Sequence, residues 1–446
     1  MTRIALVADT DSRWKWGMAT VAALGQALPA ACFLVPSLGP PSGRQLREAG
    51  VDPSRIEPID LPKLTQRLTG GGFDAAVLAL PGSSVQLVLQ AVASWQAARP
   101  GLAAARPALV TGYVGVILHR PVEGLALRAG SDIVLANSPH DAVRFRSALT
   151  AMGADPAAVV ETRLPFLVGP PARHEPSRYT VTFAAQPGIP AVRTDRAYIA
   201  SRLVSYARRH PEHDVIFKLR GLPGERLTHP EPYPYGPLLR RAAGGASGAS
   251  RGSTGAAGGA SGMYRGSTGM TRGPKEVSGW PVNLSLQAGP MRQVLARTDL
   301  LLTVSSTAAA EAIHAGIATG VLTDFGLGED YGVPFYLGSG CLVSFGQVDA
   351  GAAPLADPVW AAAHGLDPAV PPAGPSPAER LAFLLESGLA PLAPVYTESS
   401  APVYLASLAQ RTPAQRIAAG PVQRAARAAY RTGISVIAPA LRRLGA

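Results

Sequence analysis

Leu300-Leu301-Leu302-Thr303-Val304-Ser305-Ser306-Thr307-Ala308-Ala309-Ala310-Glu311-Ala312-Ile313-His314-Ala315-Gly316 sets an apolar, strand-forming run against a hydroxyl-rich turn and an alanine-rich helix. A second apolar run, Gly320-Val321-Leu322-Thr323, follows at once. A strand that feeds such a turn leaves backbone N–H groups unbonded at the helix start, with the positive end of the helix dipole behind them. That arrangement suits an anion. The same three residues, Ser305, Ser306 and Thr307, also serve as helix caps, and the two readings stand side by side.

Outward from this unit the pattern repeats. In the first part of the chain, strand-type runs over 4–8, 31–36, 55–59, 75–80, 108–112 and 133–137 alternate with helical periodicity over 18–28, 43–50, 62–68, 85–97, 124–129 and 140–152. Such alternation with short connections predicts a parallel sheet covered on both faces, hence a Rossmann-like domain over 1–168. Gly169-Pro170-Pro171-Ala172-Arg173-His174-Glu175-Pro176 reads as part of a linker over 169–178. The alternation then restarts, with strands over 179–184, 215–219, 300–304 and 319–323 and helices over 195–209, 291–297 and 307–315, predicting a second Rossmann-like domain over 179–390. Two such domains facing each other turn the carboxyl ends of both sheets toward one cleft, where open α/β sheets hold ligands.

Two segments stand apart. Gly244-Gly245-Ala246-Ser247-Gly248-Ala249-Ser250-Arg251-Gly252-Ser253-Thr254-Gly255 recurs nearly unchanged from Gly258, a low-complexity duplication predicting a disordered insertion over 243–274. The last stretch, 391–446, is read as helices packing back on the N-terminal domain. Its arginines at 424, 427, 431, 442 and 443, set among apolar residues, leave open an alternative place on an anionic membrane surface.

Composition narrows the classes. The 446 residues are 47% hydrophobic and carry a net charge of +11, a balance that favours anionic partners. Zinc spacing, an RNA-binding aromatic signature and a concentrated basic arm are all missing, so nucleic acid is not an expected partner. Cys32 and Cys341 are far apart in apolar runs and read as buried free thiols of a reducing compartment. The first residues do not form an export signal, and no apolar run approaches the roughly 20 residues of a bilayer span. The expected location is cytoplasmic, or peripheral at the inner face of the membrane.

Two Rossmann-like halves, with Glu311-Ala312 and Gly316 on the helix after Ser305-Ser306-Thr307, resemble the GT-B glycosyltransferases. Phe217-Lys218-Leu219-Arg220-Gly221, followed by Thr228-His229-Pro230 and joined by Ser305-Ser306, is similar to the branch holding bacterial polysialyltransferases and polyol-phosphate transferases of capsule and cell-wall synthesis. Those enzymes use a His-Pro and a Ser-rich motif to hold a cytidine nucleotide. Their acidic pair followed by glycine is replaced here by Asp9-Thr10-Asp11-Ser12. The resemblance implies an inverting, metal-independent transferase without a cofactor. It would carry a sugar from a nucleotide-activated donor, such as a CMP-linked ulosonic acid, to a cell-envelope or exported glycan, free or lipid-linked. A nucleotide-sugar 2-epimerase of the same fold and a non-catalytic peripheral membrane scaffold are the alternatives.

The chemistry asks for specific residues. Charge develops on the leaving phosphate, so fixed donors aimed at it contribute most to catalysis. Ser305, Ser306 and Thr307 fit that need, with Lys218, Arg220 and His229 as cations. Glu311, one helical turn after Thr307, faces the same way and suits the ribose hydroxyls. An acceptor hydroxyl needs a base, and Asp9 or Asp11 follows the first strand, beside Trp14, Lys15 and Trp16 as acceptor contacts. Asp11 and Ser12 are equally read as caps, and the Asp-x-Asp spelling admits a metal reading that is not the expectation. His119, in a glycine-punctuated loop, is a second base candidate or a structural histidine. Ser83 and Ser84 open another helix on the same edge and are expected at the acceptor. Arg128, Asp132, Asn137 and Ser138 are expected to organise the first domain.

Overall fold

The computed structural model describes residues 2–37, 39–99, 106–117, 121–167, 178–221, 231–244, 270–272 and 279–411. His119, His229, nearly all of the expected linker, most of the insertion and the basic segment after 411 lie outside the described residues.

The first sheet is built from β1 (Ile4–Ala8), β2 (Ala31–Leu34), β3 (Ile56–Pro58), β4 (Ala75–Ala79), β5 (Ala108–Gly112), β6 (Ile133–Ala136) and β7 (Val159–Glu161). Its order is β3-β2-β1-β4-β5-β6-β7 and every pair is parallel. Its central strands have no exposed position because helices cover both faces. Side-chain alternation divides β1 between two cores: Ile4, Leu6 and Ala8 enter one, Ala5 and Val7 the other.

The second sheet comprises β8 (Thr180–Ala184), β9 (Asp214–Lys218), β10 (Met270–Arg272), β11 (Leu284–Gln287), β12 (Leu300–Thr303), β13 (Ala318–Leu322) and β14 (Leu342–Val343). The order is β10-β11-β9-β8-β12-β13-β14, parallel except for β10 against β11. Among the described residues this gives two seven-stranded sheets with one winding logic. The strand order reverses beside β1 and β4 in the first sheet and beside β8 and β12 in the second. These are the switch points at which α/β sheets bind ligands. The molecule is an α/β protein of GT-B type.

Two expectations are corrected. The first helix spans Asp11–Ala23 and begins directly after β1, not at 18. Trp14, Trp16 and Val21 are its core side chains, so the tryptophans expected as acceptor contacts are turned into the domain. The second domain does not run to 390. The helix Pro377–Ser387 packs on β5 and β6, with Leu381 in the same core as Trp14, Val110 and Leu135. The crossing back begins earlier still, where His364 stacks on His140 of the helix Pro139–Ala151.

Past this point the described chain, up to 411, stays on the first domain. Gln86 Nε2 donates to the Tyr396 carbonyl (2.8 Å), the Leu392 N–H donates to Gln96 Oε1 (3.0 Å), and the helix Pro402–Arg411 lies on the helix Gly82–Ala97. Internal polar anchors hold the first domain as expected. Arg106 forms a two-pronged pair with Asp132 (2.6 and 2.8 Å), Arg128 donates to the Gly112 carbonyl, and Ser138 caps the helix after β6. Both cysteines are buried free thiols. Among the described residues no helix is long and apolar enough to cross a membrane.

Candidate active site

A cleft of about 480 Å³ opens between the carboxyl ends of the two sheets. The first domain contributes Thr10, Asp11, Ser12, Arg13 and Lys15 from the start of the first helix. It adds Arg44, Gln45 and Glu48 from the helix Gly43–Glu48, and Val114, Gly115 and Phe166 from later loops. The second domain contributes Ala184 and Ala185 after β8, Lys218 to Arg220 at the end of β9, Gly289 to Arg292 after β11, and Ser306 to Ala308 with Glu311 after β12. The domains touch closely here: a methyl group added at Gly115 would sit 3.1 Å from Thr307 Cγ2. Asn137 holds that loop, its amide donating to the carbonyls of Tyr113 (2.8 Å) and Gly115 (3.3 Å).

Six cationic and three acidic side chains line the cleft, so it favours an anionic ligand. Their pairing is uneven. Arg13 Nη1 donates to both oxygens of Asp9 (2.8 and 3.0 Å), and Arg44 pairs with Glu48. Arg220 reaches across the domain boundary to Asp11 Oδ2 (3.1 Å) and Ser12 Oγ (2.7 Å). Lys15 and Lys218, on opposite walls, have no carboxylate partner among the described residues. The ammonium of Lys218, 7% exposed, donates only to the Leu219 carbonyl (2.6 Å). Burial, with Arg220 and Lys15 nearby, pulls the Lys218 ammonium down to about 8. Burial also lowers Lys15, helped by Arg220 and opposed by Asp11. At the cleft floor, burial pushes the Glu311 carboxyl up to about 7 against the pull of Arg220, Lys218 and Lys15. Separation of these values by environment marks sites where charge is put to use.

The hydroxyl-rich turn is ordered by its own network. Thr303 Oγ1 donates to the Ala184 carbonyl (2.9 Å) and accepts the Ser306 N–H (3.2 Å), while Ser306 Oγ accepts the Ala308 N–H (3.2 Å). Ser306 Oγ thus satisfies the first N–H of the short helix Ala308–His314, and Thr307, at the cap position, lies beside it on the cleft wall. The Thr307 N–H has no hydrogen-bond partner among the described residues. Ser305 stands behind: it is buried, with its N–H and hydroxyl turned to Gln186 Oε1 (3.1 and 3.5 Å).

The cleft therefore gathers Asp11, Lys15, Lys218, Arg220, Ser306, Thr307 and Glu311. Others belong elsewhere. Trp14 is fully buried in the first-domain core and offers no face to a sugar, because the helix begins early enough to turn it inward. Asp9 is buried beneath the cleft and neutralised by Arg13; burial raises its carboxyl, and it positions Arg13 instead of meeting a substrate. Ser83 and Ser84 form the first turn of the helix Gly82–Ala97 without lining the cleft, and Ser84 is buried. Arg44, Glu48 and Arg292 are cleft residues that sequence reasoning passed over. The available signal was position, since each follows the carboxyl end of a parallel strand.

A family model described as "Putative glycosyltransferase (DUF6716)" matches residues 4–256 and 271–380. The chain belongs to this glycosyltransferase family. No curated protein matches it. Among solved structures, the UDP-GlcNAc 2-epimerase of Methanocaldococcus jannaschii is 10% identical, the match covering 87% of this chain and 100% of that one, with a TM-score of 0.48. The glycosyltransferase SnogD from Streptomyces nogalater is 15% identical over 87% and 100% of the two chains, TM-score 0.36. MurG of Acinetobacter baumannii is 10% identical over 78% and 86%, TM-score 0.38. In this glycosyltransferase family member, the motifs of the narrower likeness to cytidine-nucleotide enzymes are divided: Lys218 to Arg220 line the cleft, His229-Pro230 lies outside the described residues, and of Ser305-Ser306 only Ser306 reaches the cleft.

Proposed function

We propose that the chain is an inverting, metal-independent glycosyltransferase. The second domain holds a nucleotide-activated sugar by its phosphate and ribose, and the first presents a glycan hydroxyl of the cell envelope. One observation carries this reading: two ammoniums without carboxylate partners among the described residues, Lys15 and Lys218, face one cleft with Thr307 and the interdomain pair Arg220–Asp11. A leaving phosphate placed among Lys218, Arg220, Lys15 and the Thr307 N–H meets fixed positive charge as its own charge grows. Glu311, below that group, accepts hydrogen bonds from the ribose.

Asp11 is the base in this reading. Arg220 donates to its Oδ2, and a phosphate that draws on Arg220 weakens that contact at the oxygen offered to the acceptor hydroxyl. In a single displacement with inversion the sugar sits between Asp11 and the leaving phosphate. The donor implied by the motifs, a CMP-linked ulosonic acid, carries one phosphate and one carboxylate for the two ammoniums; a sugar diphosphonucleotide carries two phosphates.

A thermal-shift screen with CMP, UDP, GDP and ADP decides the nucleotide, since a ligand that binds only the folded chain raises its melting temperature. Mixing donor with glycan must then release free nucleotide and an anomerically inverted product. Epimer formation without acceptor would instead establish the epimerase, and no nucleotide binding at all would leave only the scaffold.

A further inference from the structure

At the far end of the second sheet from the cleft, the helix Arg193–Arg209 passes into β9 through His210-Pro211-Glu212-His213. His210 Nδ1 lies 3.2 Å from Glu212 Oε1, and His213 Nε2 lies 3.6 Å from the same oxygen. One ligand atom from each of the three residues falls within 4.8 Å of the other two. Two imidazoles and a carboxylate are donors that zinc, cobalt and nickel ions accept.

The turn is held more firmly than a surface connection requires. The amide of buried Asn283 donates to the carbonyls of Ala207 (3.0 Å), His210 (2.9 Å) and His213 (2.8 Å). Arg178 donates to the carbonyls of Pro211 and Glu212. All four carbonyls of the turn are therefore engaged, and its backbone is set before any ligand arrives. Tyr206 Oη is 2.9 Å from His213 Nδ1. With that nitrogen protonated and donating to the tyrosine, Nε2 keeps its lone pair toward Glu212, the outer-shell arrangement that fixes ligating histidines.

We propose that His210, Glu212 and His213 form a divalent transition-metal site, with water completing the coordination. It is separate from the transfer reaction and independent of the donor reading. The rings of His210 and His213 stack nearly parallel at 5.0 Å. Bonds of about 2.0–2.2 Å therefore draw the donor atoms together by roughly an ångström. The Glu212 side chain, 61% exposed, and the His210 ring supply that movement while the clamped backbone stays in place. A bound ion ties the end of the helix Arg193–Arg209 to the start of β9.

The test uses the full chain without a polyhistidine tag, stripped by chelator and titrated with Zn²⁺ and Co²⁺. The expected result is one equivalent bound, a melting temperature that rises with Zn²⁺ concentration, and a Co²⁺ visible spectrum showing nitrogen and oxygen ligands. Glu212→Gln, an isosteric change at an exposed position, and His210→Ala should each weaken binding at least about tenfold, while nucleotide affinity stays unchanged. Absence of saturable binding at millimolar Zn²⁺, or binding that both variants leave intact, would overturn the proposal.

Discussion

Replacing Lys218 by Met should make the unliganded chain more stable and weaken its hold on donor. Burial and the neighbouring cations lower this ammonium from 10.5 to about 8, and a shift of that size withholds about 3 kcal/mol of folding free energy at about pH 7. Methionine keeps the aliphatic stem and removes the charge, but the Leu219 carbonyl loses a donor at 2.6 Å, which returns about 1 kcal/mol. The expected net gain is about 2 kcal/mol at about pH 7. Lys218 is also one of three cations that draw Glu311 down. Without it Glu311 takes up a proton more readily, so no unpaired buried charge is left behind.

The sign follows from the direction of the shift. Because the folded-state value lies below the unfolded one, the cost is fully present below about 8 and fades as pH climbs toward 10.5. At about pH 9.5 less than half of it remains, and the advantage of Lys218→Met shrinks to about zero. Urea denaturation of both proteins at the two pH values measures this, and calorimetric titration should show nucleotide affinity reduced at least about tenfold through loss of a charge-assisted contact. Equal destabilisation of Lys218→Met at both pH values would refute the reasoning, since the ammonium would then be a stabilising structural cation.

Asp11→Asn should lower turnover by about 10²–10⁴-fold with nucleotide affinity unchanged or slightly improved, because Arg220 is released; steady-state kinetics beside calorimetry separates the two effects, and full turnover would place the base elsewhere. Arg220→Ala should weaken nucleotide binding about tenfold or more, and Arg220→Lys should fail to restore it, since Nη2 alone holds Asp11 Oδ2 and Ser12 Oγ, leaving the other guanidinium N–H groups for a two-pronged phosphate contact that an ammonium does not make. Trp14→Ala should cost about 3–5 kcal/mol of stability and leave the acceptor KM of the surviving folded protein unaltered; a raised KM with unchanged stability would return Trp14 to the cleft.

The two-sheet architecture was legible because parallel strands buried on both faces must be continuously apolar. Ile4–Ala8, Ala75–Ala79 and Leu300–Thr303 show this without any tertiary information. The rule that ligands meet the carboxyl ends of such strands then singled out Asp11, Lys218, Ser306, Thr307 and Glu311. Where local sequence was ambiguous, it misled. Asp9 and Asp11 are two residues apart and chemically alike, yet one helical turn sends Asp9 to Arg13 and Asp11 to Arg220 of the other domain. Trp14 and Lys15 are adjacent, yet only Lys15 lines the cleft.

The chain's own sequence thus determined its central strands, its doubling into two α/β halves and the strand ends at which chemistry occurs, because these depend on periodicity and apolar continuity over a few residues, while Val159–Glu161, Met270–Arg272, Leu284–Gln287 and Leu342–Val343 emerged only in the folded sheets. Tertiary structure decided which charges meet across the cleft and which are left for a ligand. Arg13–Asp9 and Arg44–Glu48 pair locally, four residues apart, whereas the partner of Arg220 depends on the approach of a domain some two hundred residues away. Lys15 and Lys218 form no ion pair with a carboxylate among the described residues, although Glu311 lies near both.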